Sequence, residues 1–355
     1  MKPPGRGPGE RGPLFTGLRP VRTLCMISIV AFHVRWTEEA PPEPLLGVSF
    51  GLTTLQVILC ALVAWPSRAG AARPFLGKRA GRLLRPWLVW SGVYLAVKVA
   101  QSSRYGHPWY DQLDPSMWLA GGSFHLWFLP YGFAASALAL AGARLGRGER
   151  AAVAAAGSAA LGALALLLSS ASRGALAPPA PLDLWLDGLP AVLFGVALGR
   201  ALSVHEAAVR RRLLVLVCVL ALLPAGLGAL GADLAPWSQL WGRYAVAVPL
   251  ACAGFSLRVP DLPLVTWLAE RNMGVYVVHI LALQAVDRVP PLAGLPDAGR
   301  IVSVYGVSVL SVLALDLAGR GVRRLGVPRL GVRRRGSRRP GEPRRVGAQS
   351  STRAS

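Results

Sequence analysis

Arg22 and His33 stand eleven positions apart, with the apolar run TLCMISIVAF between them. An ionisable side chain inside a membrane helix costs about 2.5–3.5 kcal/mol on insertion scales, so such residues usually face a polar interior and mark a functional path. On one helix the two groups lie about 16 Å apart along the axis, which lets them address two ends of one long ligand. His33 exchanges a proton near neutral pH, which suits a general base acting on a hydroxyl. The competing role for His33 is an interhelical hydrogen bond, and Arg22 has a competing role as a charged anchor at the end of a span.

Three further segments carry chemistry. In KRAGRLLRPW, Lys78 to Trp87, Arg82 and Arg85 are three apart on one helix face, with Lys78 and Arg79 one turn earlier. Paired guanidinium forks make a good phosphate receptor, although plain positive charge on the cytoplasmic side explains the same residues. In FHLWFLPY, Phe124 to Tyr131, His125 and Trp127 head a span and Pro130 follows one turn in. The loop from Ser102 to Gly122 feeds this span and holds Tyr105, His107, Trp109, Tyr110, Asp111 and Asp114. It suits either an interfacial aromatic belt or a sugar-binding lip, and Asp111, Asp114 or Glu38 could orient His33. In ERNMGVYVVH, Glu270 to His279, the polar residues Arg271, Asn272, Tyr276 and His279 interrupt an apolar span. Tyr276 and His279 share a face, and His279 is either a second acid/base group or an interhelical hydrogen-bonding group.

The elements that position these residues follow from composition. The 355 residues are 53% hydrophobic and 16% charged, with a mean hydropathy of +0.44, which is the profile of a polytopic membrane protein. The apolar runs are too long for barrel strands, so the predicted fold is an all-α membrane helical bundle. Ten spans are expected, at 22–37, 46–66, 84–101, 124–142, 151–170, 183–199, 213–231, 241–257, 264–286 and 301–319. The net charge of +22 raises the possibility of nucleic-acid binding. The distribution argues against it: with both termini cytoplasmic, 31 of the 39 basic residues fall on the inside, as the positive-inside rule requires. A multi-pass protein of the cell membrane is predicted, with no nucleic-acid partner.

Residues 1–18 read as a flexible Pro- and Gly-rich lead without a signal-peptide cleavage pattern. Residues 19–319 form the membrane domain, and 320–355 a basic disordered cytoplasmic tail that anchors topology and could touch anionic lipid. Cys25, Cys60, Cys218 and Cys252 all fall within spans, without metal-ligand spacing, and predict neither disulfides nor a metal site. The alanine-rich run from Ala151 is scaffold whose small residues suit close helix packing.

The Arg, ten residues, His pattern in the first span, RLLRP in the third, HLWFLP in the fourth and RNMGVYVVH in the ninth resemble, in family order, the membrane acyltransferase 3 family. That family comprises multi-span enzymes that acylate sugars and polysaccharides, and the resemblance covers about residues 15–320. It implies transfer of an acyl group, usually acetyl from acetyl-CoA on the cytoplasmic side, to a carbohydrate hydroxyl presented outside. CoA is then a co-substrate rather than a bound cofactor. Carried across, His33 matches the family's first-span histidine, Arg22 its arginine partner, and Arg82 and Arg85 the pair associated with the donor. His125, Trp127, Tyr276 and His279 match family segments without an assigned role. The chain departs from the family in lacking a Ser-Gly-Phe in the second span, where SFGLTTLQVIL stands instead. Thr16-Gly17-Leu18-Arg19 also lies three residues earlier than the family's Asp-Gly-Leu-Arg. The rival class is an exporter of a polysaccharide or lipid-linked sugar, whose path the same buried charges would line; the sequence shows no internal repeat to favour it.

Overall fold

The computed structural model describes residues 15–35, 50–65, 72–108, 110, 113–144, 150–172, 178–230 and 235–324. The N-terminal lead before Phe15, the carboxylates Glu38 and Asp111, and the basic tail beyond Arg324 lie outside the described residues. Packing divides the chain into one unit, Met1–Val312, and a second, Leu313–Ser355. The described part of the second is the end of a long helix, and the architecture below is that of the first.

Described residues form helices and turns, with no strand among them. The order is α1 (Leu18–Arg35), α2 (Phe50–Ala64), α3 (Ala72–Arg104), α4 (Met117–Ala120), a single 3-10 turn (Phe124–Trp127), α5 (Phe128–Gly142), α6 (Ala151–Ser172), α7 (Leu182–Asp187), α8 (Leu189–Leu202), α9 (Ala207–Leu230), α10 (Ala235–Ser256), α11 (Pro263–Asp287), α12 (Pro290–Ala293) and α13 (Asp297–Arg324). Helices occupy all ten predicted segments. Four stretches, Phe124–Gly142, Ala151–Ser169, Leu182–Leu202 and Asp297–Arg320, are by length and composition able to cross a membrane. Helix α2, Phe50–Ala64, is apolar but shorter.

The largest boundary difference is in α3, which begins at Ala72, well before the apolar run expected from residue 84. Lys and Arg are good helix formers, so the helix continues through KRAGR where the hydropathy does not. Pro86 sits inside it and removes the N–H that would bond to the carbonyl of Arg82.

Helix α2 is central, packed against α1, α5, α8 and α10. It is buried on adjoining sides: Cys60, Val63 and Ala64 join one apolar cluster with α1, α5 and α11, and Val57, Ile58 and Ala61 join another with α8 and α10. Gly195 and Gly199 of α8 allow the close approach. A Cβ at Gly195 would stand 2.5 Å from Cys60 Cβ, and one at Gly199 2.6 Å from the Ala61 carbonyl oxygen. This is the small-residue spacing that lets membrane helices pack backbone to backbone. At the end of α2, Arg200 Nη1 donates to the Ala64 carbonyl at 3.5 Å and Ser203 Oγ to the Trp65 carbonyl at 2.8 Å. These bonds satisfy carbonyls that a helix C-terminus leaves open and complement its dipole.

The alanine-rich α6 shows the same logic. Ala151, Ala155, Ala159 and Ala163, spaced four apart, are buried, while α6 packs against α8 and α9. Val153, Leu161, Leu164 and Leu168 on the same helix are exposed. Large aliphatic residues are likewise exposed on α3 (Leu88, Val89) and α9 (Val215, Val219, Leu222). Outward-facing aliphatic rows of this extent are those of a protein whose solvent is lipid.

Thr16 to Arg19 ties the start of α1 to the loop between α10 and α11. The Val259 N–H donates to Thr16 Oγ1 at 2.9 Å, and Arg19 pairs with Asp261 at 2.5 Å. A Cβ at Gly17 would lie 2.8 Å from the carbonyl oxygens of Gly254 and Leu257. The early Thr-Gly-Leu-Arg therefore acts as a clamp.

Candidate active site

Three histidines from three separate helical segments converge at one end of the bundle. The ring of His33, near the end of α1, stands 4.9 Å from that of His279 on α11 and 6.4 Å from that of His125 in the 3-10 turn, centroid to centroid. His125 and His279 are 5.1 Å apart. Among the described residues no group of three His, Cys, Asp or Glu side chains is arranged to hold a metal ion.

His125 and His279 are held by the chain around them. The turn before His125 depends on Gly121, whose φ of +86° is the left-handed conformation that glycine adopts without strain. A Cβ there would meet Ser91 Oγ at 2.4 Å and Trp87 Nε1 at 2.8 Å, so the turn lies directly on α3. His125 Nδ1 is 2.9 Å from Ser123 Oγ, and the Tyr276 hydroxyl donates to the His125 carbonyl. Tyr94 on α3 lies 5.1 Å from the His125 ring and donates its hydroxyl to the Val277 carbonyl at 2.9 Å. His279 Nδ1 is 2.7 Å from the carbonyl oxygen of Tyr276, one turn back on α11. His125 and His279 are both buried, and the Nε2 atom of each has no hydrogen-bond partner among the described residues.

His33 and His125 open on a cavity of about 480 Å³, within the usual range for small-molecule sites. Trp127 and Tyr276 also line it, so four of the sequence-selected residues meet there. Most of the wall is apolar, from Ile29, Phe32, Leu52, Phe124, Leu184 and Ile280, with Thr53, Gln56, Ser123, Asp187 and Arg243 as further polar groups. His279 lies behind the wall.

Several of these residues escaped the sequence reading. Gln56 is a polar residue inside an apolar helix, a signal that was present. Arg243 reads in sequence as one more charge outside the membrane, yet it lines the cavity. Tyr94 and Asp187 carried no local signal.

Arg22, Arg79, Arg82 and Arg85 lie toward the other end. Arg22 Nη2 donates to the Ala269 carbonyl at 2.8 Å, and the Asn272 side-chain amide donates to the Arg22 carbonyl at 2.7 Å. Arg79 turns into the bundle: its Nε donates to Ser136 Oγ of α5 at 3.1 Å, and its guanidinium lies over the Phe75 ring. Arg82 and Arg85 are exposed. Arg85 stands nine positions before Tyr94, which lies beside His125, an axial distance of about 14 Å. Helix α5 runs from the histidine end toward Ser136, so Arg79 and its neighbours lie at the end opposite the histidines.

Asp114 does not line the cavity. Asp114 accepts a hydrogen bond from the Ser116 N–H at 2.6 Å, and hydrogen bonds from the Ser116 side chain and backbone hold its carboxyl below the usual carboxylate range. Asp111 lies outside the described residues.

The described residues thus form a helical bundle with outward-facing aliphatic rows, a cavity lined by His33 and His125 at one end, and Arg22, Arg79, Arg82 and Arg85 toward the other. The acyltransferase domain family matches residues 16–319, and the chain belongs to that family and is an acyltransferase. No curated protein and no solved structure matches it.

Proposed function

We propose that the protein is a multi-pass O-acyltransferase of the cell membrane that moves an acyl group, acetyl in the simplest case, from acyl-CoA to a hydroxyl of a carbohydrate or glycosylated acceptor. The observation that carries this reading is the cavity of about 480 Å³ into which His33 and His125 both open, with the arginine-bearing ends of α1 and α3 on the far side of the bundle. The aromatic wall suits the apolar faces of a sugar ring and an acyl chain, and Thr53, Gln56, Asp187 and Arg243 suit its hydroxyls.

In this mechanism His33 takes the proton of the acceptor hydroxyl as its oxygen attacks the thioester carbonyl. Collapse of the tetrahedral intermediate breaks the carbon–sulfur bond, and the departing CoA sulfur takes up the proton held by His33. General-base action of this kind contributes about 10²–10⁴ in rate. Transfer is direct and needs no covalent acyl-protein. The exposed Arg82 and Arg85 bind the CoA phosphates as charge-assisted contacts, Arg22 and Arg79 flank the entry, and the pantetheine arm extends between the helices toward His33. Ten spans with both termini inside put the donor in the cytoplasm and the acceptor at the outer face.

The test is direct. Protein purified in detergent and given labelled acetyl-CoA with sugar acceptors releases CoA and labels the sugar, and His33→Ala stops this while the thermal unfolding curve stays unchanged. Full activity in that variant would sink the mechanism.

A further inference from the structure

We propose that His279 is a positioning residue for His33. On a small rotation of the facing rings its Nε2 accepts a hydrogen bond from the His33 ring N–H, so that the other His33 nitrogen faces the cavity unprotonated. This deepens the reading above and rests on His33 as the base.

The argument begins with the Tyr276 carbonyl. It lies 2.7 Å from His279 Nδ1, and a carbonyl oxygen only accepts, so Nδ1 carries the proton. In a neutral imidazole the second nitrogen is then an acceptor. That atom, Nε2, is on the far side of the ring from the carbonyl and points away from its own helix. It is buried and has no hydrogen-bond partner among the described residues. A buried acceptor is rarely left in that state without a reason.

The neighbour that can supply the donor is His33, whose ring centre is 4.9 Å away. A nitrogen-to-nitrogen hydrogen bond of about 3 Å between two imidazoles sets their ring centres about 5 Å apart. His125 is the other candidate, with its ring centre 5.1 Å away and its own Nε2 without a partner among the described residues; His33 is the nearer ring, and the His33 tautomer measured below decides between them. The two helices are also fixed relative to one another, because Asn272 donates to the Arg22 carbonyl and Arg22 to the Ala269 carbonyl across α1 and α11. His279 is fully buried and absent from the cavity wall. It therefore acts on substrate only through His33, as an orienting group acts on a catalytic histidine by fixing its tautomer. A neutral histidine does this without bringing a second charge into the apolar end of the bundle.

The experiment compares full-length protein with His279→Leu, which removes the acceptor, and His279→Gln, which returns an amide oxygen near the position of Nε2. Two measurements are made. The first is the NMR spectrum of nitrogen-labelled histidine in detergent, with His33 assigned through His33→Ala. The wild type shows one fixed His33 tautomer, His279→Leu shows a mixture, and His279→Gln restores one. The second is turnover of acetyl-CoA with sugar acceptors. In His279→Leu, kcat falls by about 10²-fold, within the range general-base action supplies, while KM for acetyl-CoA is unchanged; His279→Gln recovers part of kcat. An unchanged His33 tautomer in His279→Leu, or a glutamine variant no better than the leucine one, overturns the proposal. The His33→Ala control separates the two ideas. If His33→Ala is active, the general-base reading has failed. If it is inactive while His279→Leu works normally, the positioning role alone has failed.

Discussion

Asn272 on α11 donates its side-chain amide to the carbonyl oxygen of Arg22 at 2.7 Å, and Arg22 returns a guanidinium hydrogen bond to the Ala269 carbonyl at 2.8 Å. This reciprocal latch joins the first helix to the eleventh, the two helices that carry His33 and His279. Arg22 is thus partly a structural residue, whatever it also contributes to the donor path.

Removing the latch should loosen the site from a distance. Asn272→Leu keeps the volume but removes the hydrogen bond to the Arg22 carbonyl, which keeps its intrahelical partner, a loss of about 0.5–1.5 kcal/mol. A lower unfolding temperature in detergent together with a reduced kcat is the expected result. Normal values of both would show that α1 and α11 hold their register without Asn272.

Three of the arginines of α3, Arg79, Arg82 and Arg85, should separate into two kinds. Arg82→Ala and Arg85→Ala remove exposed groups, so thermal stability should hold while KM for acetyl-CoA rises roughly tenfold, the equivalent of about 1.4 kcal/mol. Arg79→Ala breaks the hydrogen bond to Ser136 and uncovers the Phe75 face, and should lower the unfolding temperature as well. Acetyl-CoA titrations paired with unfolding curves on the same preparations make the comparison.

Packing between α2 and α8 depends on the absence of side chains. Gly195→Ala places a methyl 2.5 Å from Cys60 Cβ, and Gly199→Ala places one 2.6 Å from the Ala61 carbonyl oxygen. Overpacking of this kind costs about 1–3 kcal/mol. Each variant should yield less folded protein on size-exclusion chromatography and unfold at lower temperature, whereas Gly157→Ala on α6, where a Cβ would meet nothing within 4 Å, should be silent.

At the loop between α10 and α11, hydrogen bonds from Thr266 and then Arg19 hold the Asp261 carboxyl below the usual carboxylate range. A depressed carboxylate contributes stability that is present above its unfolded pKa and is lost as pH falls through the folded value. Unfolding temperature measured from neutral to acidic pH should therefore decline less steeply for Asp261→Asn than for the wild type. Parallel curves would mean that the clamp formed by Arg19 and Asp261 adds nothing in solution.

Helix positions were legible in the sequence because they depend on local quantities: the lengths of apolar runs, the charges between them, and the scarcity of breakers. That is why α5, α6 and α11 lie close to their predicted limits. The beginning of α3 was less legible, since hydropathy marks what contacts lipid and KRAGR is helical without being apolar. His33, His125, Tyr276 and His279 could be selected as chemically loaded residues on unpromising apolar ground, and so could the arginines of α3.

Their arrangement was a different matter. Whether three histidines at positions 33, 125 and 279 meet depends on how α1, α11 and the turn after Gly121 are rotated against one another. That rotation is set by contacts far apart in the chain, among them Asn272 with Arg22 and Tyr94 with Val277. The same packing turned Arg79 inward beside exposed Arg82 and Arg85, brought Arg243, Gln56 and Asp187 to the cavity wall, and left Asp114 capping its own loop. The sequence by itself determined a helical membrane bundle carrying costly polar residues, because burying or lipid-exposing each side chain is priced one residue at a time. Only the tertiary structure decided which of those residues face one another, because the direction of a side chain is a property of the helices packed around it.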